Sequence, residues 1–169
     1  LIKLLSVVDD DINLSLTKSG DKSIALKVSD STSSVNYMLT DTSIINEPPT
    51  LKSIPEFELN IDVTPQFINK FIAGKGALGE TDNFTIITDG GSVKAVIGYS
   101  SVNTNRVTIP VTTTKVSDIE NVSFNANIFK EVLSANKECE SATLEVSSEG
   151  LSRITFKVDD YTSTYYLVA

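Results

Sequence analysis

The chain has 169 residues, enough for one large domain or two small ones with a buried core. Its 40% hydrophobic and 21% charged content excludes a disordered chain, and no apolar run approaches the ~20 residues a membrane-spanning helix needs. A net charge of −8 excludes indiscriminate binding to nucleic acid unless the few positive charges gather on one surface.

From the N-terminus, LIKLLSVV reads as a short helix; it lacks the basic lead-in and small-residue cleavage site of a signal peptide. Two strands follow, meeting at Gly20, with Leu14 and Leu16 before the turn and Ile24, Leu26 and Val28 after it. DTSIINEPPTLKSIP holds three of the five prolines and reads as a linker, although Ile44, Ile45, Leu51 and Ile54 are unusual in a purely solvated tether. EFELNIDV alternates Phe57, Leu59, Ile61 and Val63 as a strand. Thr64 is then an N-cap and Pro65 the first residue of a helix with Phe67, Ile68, Phe71 and Ile72 on one face. Gly74 is its expected stop, with Lys75 just beyond, where the helix dipole favours a cation.

Three strands come next: NFTIITD, then SVKAVIGYS after an Asp89-Gly90-Gly91 turn, then RVTIPVTTT. NVSF is a short strand and Asn125 an N-cap for a second amphipathic helix, whose expected apolar face is Ile128, Phe129, Val132 and Leu133. The chain closes with ATLEVSSEGLSRITFKV, turning at Gly150, and TSTYYLVA.

One stretch is nearly said twice: IALKVSDSTSS from Ile24 and ITFKVDDYTST from Ile154, 130 positions apart. The offset runs without a gap. Leu14 pairs with Leu144, Leu16 with Val146, Gly20 with Gly150, Leu26 with Phe156, Val28 with Val158, Asp30 with Asp160 and Ser33 with Ser163. Alternating apolar positions predict half-buried strands, and the paired glycines predict hairpins needing positive φ. A strand and a helix precede the second copy, whereas LIKLLSVV alone precedes the first, so the first unit is expected to lack its front half.

Chemistry is sparse. The chain has no histidine, the commonest general base and zinc ligand. The single cysteine, Cys139, excludes an internal disulfide and fits a reducing, intracellular setting. GKGALG is not a phosphate loop: Asn69 stands where the first glycine belongs, and neither Ser nor Thr follows Lys75. The acidic runs Asp9–Asp11 and Asp159–Asp160 lack calcium-loop spacing and read as solvated turn residues. The expectation is therefore no enzyme, no cofactor and no metal. Charge, however, is unevenly placed. The three helical segments carry Lys3, Lys70 with Lys75, and Lys130 with Lys137 against Glu131, a net +4 that leaves −12 for the rest.

The repeated strand-helix-three-strand unit, with lysines on the helices and an acidic remainder, resembles the DNA sliding clamps. These include proliferating cell nuclear antigen and the clamps of tailed bacteriophages. SFNANIFKEVLSA, ATLEVSSEGLSRITFKV and TSTYYLVA carry the likeness most clearly. The resemblance implies an α+β sliding-clamp fold, with antiparallel sheets outside and helices on one face. Residues 1–40 would be the back half of a first domain, 41–55 an interdomain connector and 56–169 a complete second domain. It also implies a processivity factor that encircles double-stranded DNA without sequence preference and tethers the replicative DNA polymerase. A clamp loader would place it as a homo-oligomeric, trimeric ring, in the host cytoplasm if phage-encoded and away from any membrane. Lys3, Lys70, Lys75, Lys130 and Lys137 would face DNA. Ile44, Ile45, Leu51, Ile54 and Val168 would line a pocket for partner peptides, and VNYMLT and RVTIPVTT would close the ring. The competing reading is a non-catalytic β-rich phage structural or carbohydrate-binding module; it predicts no helices at 65–73 and 126–135.

Overall fold

A computed structural model describes residues 1–9, 11–46, 53–102 and 104–169. The chain divides into two compact units, Leu1–Lys52 and Ser53–Ala169.

The first unit contains a one-turn helix, α1 (Ile2–Leu5), and an antiparallel three-stranded meander of β1 (Asn13–Ser19), β2 (Lys22–Ser29) and β3 (Ser34–Met38). Its core is small: Val8, Val28 and Val35, with Leu5 and Leu26 packed against them. The β1–β2 turn is tight. Ser19 pairs with Lys22, and Gly20 adopts φ +61°, which a residue with Cβ reaches only with strain. The β2–β3 loop is longer and is built on Asp30. Its carboxylate accepts from the backbone N–H groups of Asp9 (2.8 Å), Thr32 (2.7 Å) and Ser33 (2.6 Å) and from the Ser33 hydroxyl (2.9 Å). A 3₁₀ turn over Thr42–Ile44 follows, capped by Asp41.

The second unit runs β4 (Leu59–Asp62), α2 (Pro65–Ala77), β5 (Asn83–Asp89), β6 (Ser92–Ile97), β7 (Val107–Lys115), β8 (Val122–Asn125), α3 (Ala126–Ala135), β9 (Ser141–Val146), β10 (Leu151–Val158) and β11 (Tyr161–Val168). Its strands form one eight-stranded sheet in the order β11-β10-β9-β4-β7-β6-β5-β8, antiparallel at every pairing. Strand–helix–three strands thus occurs twice in succession, and β4 and β9 join the halves, with Ile61 opposite Leu144 and Leu59 opposite Val146.

Both helices pack into one core with the sheet. Phe71 meets Phe84 and Phe129 edge-on at 5.0 and 4.9 Å, and Phe84 stacks on Phe129 at 4.7 Å. Burial of each such side chain contributes about 1.5–3 kcal/mol. The caps are as the sequence predicts. Thr64 accepts from the Phe67 N–H at 3.2 Å, and Asn125 accepts from the N–H groups of Asn127 and Ile128 at 3.0 and 2.9 Å.

Three expectations need correction. Gly74 does not end α2, which continues to Ala77. Its role is close approach to the sheet, since a Cβ there would lie 2.9 Å from Val107 Cγ1. Ile128 is not on the buried face of α3 but 58% exposed. The buried line is Ala126, Phe129 and Leu133, and at about 100° per residue Ile128 falls well to one side of it.

The third correction concerns the repeat. Both copies are three-stranded meanders, but the gapless offset does not survive in the register. Leu16 pairs with Leu26, whereas Val146 pairs with Ser152, four residues short of the counterpart. The loops have traded lengths. In the first meander Gly20–Asp21 make a two-residue turn and Asp30–Ser33 a four-residue loop, while in the second Ser147–Gly150 are the long loop and Asp159–Asp160 the short turn. An even slip keeps the side-chain faces, which is why the pattern tolerates it.

Candidate nucleic-acid face and peptide groove

α2 is positioned by its Thr64 cap and by the phenylalanines beneath it. The residues it turns to solvent are Pro65, Gln66, Asn69, Lys70, Ala73, Gly76 and Ala77, without one carboxylate. α3 turns out Asn127, Ile128, Glu131 and Ala135, with Lys130 half-buried among them, and Lys137 stands exposed just past the Asn136 C-cap. Lys3 is exposed on α1 of the first unit. Among the described residues the three ion pairs are Lys22–Asp41, Lys115–Glu56 and Arg153–Glu145, so Lys3, Lys70, Lys130 and Lys137 keep their charge unpaired. Within the second unit, the outward side of α2 and α3 offers phosphate a few mobile cations with little competing acid, which suits contacts that exchange quickly and read no sequence.

Lys75 does not belong to that face. It lies inside α2, is only 4% exposed, and its Nζ donates to the carbonyls of Gly79 (2.9 Å) and Leu78 (3.4 Å). It closes the C-terminal end of its own helix, where carbonyls lack partners. A side chain reaching three and four residues ahead is invisible to a rule that places every lysine near a helix end in solvent.

The first unit carries a groove of about 660 Å³, set where β2 and β3 meet the 3₁₀ turn. Ile24, Tyr37, Leu39 and Ile45 supply apolar lining, with Lys22 and Asp41 at the rim. Asp41 accepts from the Ser43 N–H and from Lys22 Nζ, each at 2.9 Å, and these bonds, the backbone one foremost, hold its carboxyl below the usual range. Of the residues expected to line a peptide pocket, only Ile45 does so here. Ile44 is exposed outside this lining, Ile54 and Val168 are exposed residues of the second unit, and Leu51 lies outside the described residues. Tyr37 and Leu39 were not anticipated. The signal was their period-two spacing after Val35, which continues an inward series past the end of β3.

The start of the second unit is pinned to its sheet. Lys115 donates to Glu56 (3.1 Å) and to the Phe57 carbonyl (2.6 Å), and the Arg153 guanidinium sits 4.8 Å from the centre of the Phe57 ring. Glu58 accepts from the Ser148 hydroxyl (2.6 Å) and N–H (3.1 Å), which lowers its pKa. No helix among the described residues is long and apolar enough to cross a membrane.

An antiparallel sheet backed on one side by helices, built from repeated strand-helix-three-strand units, is the sliding-clamp fold, and solved structures agree. The chain resembles proliferating cell nuclear antigen from Entamoeba histolytica with a TM-score of 0.68 at 19% identity, covering 99% of this chain and 67% of that one. It resembles the PCNA2–PCNA3 complex of Sulfolobus tokodaii with a TM-score of 0.70 at 12% identity, covering 99% and 68%. PCNA from Thermococcus kodakaraensis gives 0.66 at 14% identity, covering 99% and 69%. At such identities the likeness is one of fold. No family model and no curated protein matches the sequence.

Proposed function

We propose that this chain acts as a non-catalytic DNA sliding clamp, part of a ring around duplex DNA that tethers a polymerase. One observation carries the reading: α2 and α3 stand together on an eight-stranded sheet in a chain of net charge −8, yet turn Lys70 and Lys130 outward with Glu131 as the sole exposed acid of the two helices. An acidic protein with a locally basic helix layer repels DNA generally and accepts it there. Lys3 and Lys137 extend the phosphate-facing set. The groove lined by Ile24, Tyr37, Leu39 and Ile45 takes short apolar segments of the polymerase and of a clamp loader.

Ring closure, as a trimer, joins the outer edge of β3 to that of β7. Residues Val107–Val111 pair with β6 on one side, and β4 joins the other side only from Thr112 onward, leaving a stretch of edge for a neighbour. The test is loader-dependent stimulation of a cognate polymerase, with retention on circular but not linear DNA. Replacing Lys70 and Lys130 by Gln should reduce the salt slope of DNA contact by about 1–2 without altering the fold. A full stimulation by the double variant, with its salt slope unchanged, removes the lysine assignment. A protein that neither stimulates nor stays on circles removes the clamp reading itself.

A further inference from the structure

Counted from their N-caps, α2 and α3 align residue by residue. Two positions after Thr64 and Asn125 come Gln66 and Asn127, both exposed side-chain amides. Five positions after come exposed Asn69 and half-buried Lys130, and six after come Lys70 and Glu131, both exposed. Each helix start also has one carboxylate nearby. Asp62 lines a small cavity with Gln66 and Lys70, and Asp82 accepts from the Asn127 side-chain amide at 3.3 Å. The two helices thus show opposite charge at one matching exposed position, a cation on α2 and an anion on α3.

Nothing within α3 calls for that anion. The helix dipole favours acids in the first turn only, and Glu131 lies beyond it. Its neighbours at three and four residues are Asn127, Ile128, Ser134 and Ala135, none of them a cation. Glu131 takes no part in the three ion pairs among the described residues. A chain of net −8 has no need of a further acid for solubility. We propose that Glu131 decides which helix grips the duplex. Its carboxylate holds phosphates off the first turns of α3 and offsets Lys130 beside it, so the contact falls on α2 through Lys70 and the total grip stays weak. Lys137, six residues further on and about 9 Å along the axis, keeps its own pull on phosphate. This deepens the clamp reading and rests on it.

The experiment is a titration of the 169-residue chain with a short DNA duplex, followed by amide NMR at low and near-physiological salt. In the parent chain the duplex should shift the amides of Gln66, Asn69 and Lys70 more than those of Asn127, Ile128 and Glu131. Glu131→Gln keeps size and helix propensity, so the fold should not change. It should tighten binding about two- to fourfold at low salt and less as salt rises, and bring the α3 amides into the shifted set. The salt slope should steepen by up to about 1 as Lys130 engages phosphate. Lys130→Gln should then weaken binding in the Glu131→Gln background and hardly at all in the parent, a coupling that a merely structural role would not produce. Asp89→Asn removes the same charge from the β5–β6 turn and should tighten nothing. Equal shifts on both helices in the parent, or a Glu131→Gln that tightens no more than Asp89→Asn, overturns the role of Glu131 and leaves the clamp reading standing. A duplex that shifts neither helix, in parent or variant, overturns both.

Discussion

The two meanders hold nearly the same words in different grammar. In the second, Leu144, Ile154 and Phe156 are at most 1% exposed, covered by the phenylalanine core under α2 and α3. In the first, Leu14, Leu16 and Ile24 are 36–68% exposed, and the core is three valines and two flanking leucines. Likeness of pattern therefore specifies strand, face and turn, but not what covers the face; that comes from the elements packed against it. The Asp-Thr-Ser residues show the same thing on a smaller scale. Asp30, Thr32 and Ser33 build a hydrogen-bonded loop, while Thr162 and Ser163 at the matching offset are strand residues paired to Lys157 and Phe156.

The largest test of this contrast is truncation of its two central residues. Phe156→Ala should cost about 3–5 kcal/mol in denaturant unfolding, through the cavity it leaves, whereas half-buried Leu26→Ala should cost roughly 1–2 kcal/mol. Equal losses would mean the first meander is as well covered as the second. Gly74→Ala comes next, at about 1–3 kcal/mol, because the added methyl meets Val107 in the second unit's core; a gain, as helix propensity alone would give, would show that α2 has room to lift off. Gly20→Ala should cost about 1 kcal/mol purely through its positive φ, with nothing within 4 Å of the new methyl, so calorimetry on that variant measures turn strain without packing.

The smallest effect is in pH. The backbone N–H groups of Asp9, Thr32 and Ser33 hold the Asp30 carboxyl far below its ordinary value of 3.8, so the folded loop prefers the charged form. Its contribution is complete above pH 3.8 and fades as pH falls toward the lower folded value. Protection of the Thr32 and Ser33 amides, relative to their intrinsic exchange at each pH, should fall in that window, and Asp30→Asn should abolish that pH dependence.

Much of this was legible in the residues. Both helix starts were readable because a cap is a local event: Thr64 before Pro65 and Asn125 before Ala126 satisfy their own first turns. The Asp89-Gly90-Gly91 turn was equally local, with both glycines at positive φ. The exchanged loop lengths were not readable, because a slip of four residues preserves alternation and so leaves no trace in a period-two pattern. Ile128 misled for a related reason: four apolar residues in α3 define a stripe wider than the core uses, and Ala126 took the place beside Phe129. Of the site, the outward placement of Lys70, and of the half-buried Lys130, followed from helical spacing. Lys75 and the Tyr37–Leu39 lining did not, since each depends on where the chain goes after its element has ended.

The burial of Lys75 has a practical consequence for anyone mapping the helix layer by chemical labelling. Amine-reactive reagents reach Lys70 freely, but Lys75, one and a half turns further along the same helix, has its nitrogen held by two carbonyls. The pair forms an internal standard. Protection of Lys70 that leaves the slow rate at Lys75 unchanged reports a ligand lying on the helix, and a change at both reports loosening of the helix itself.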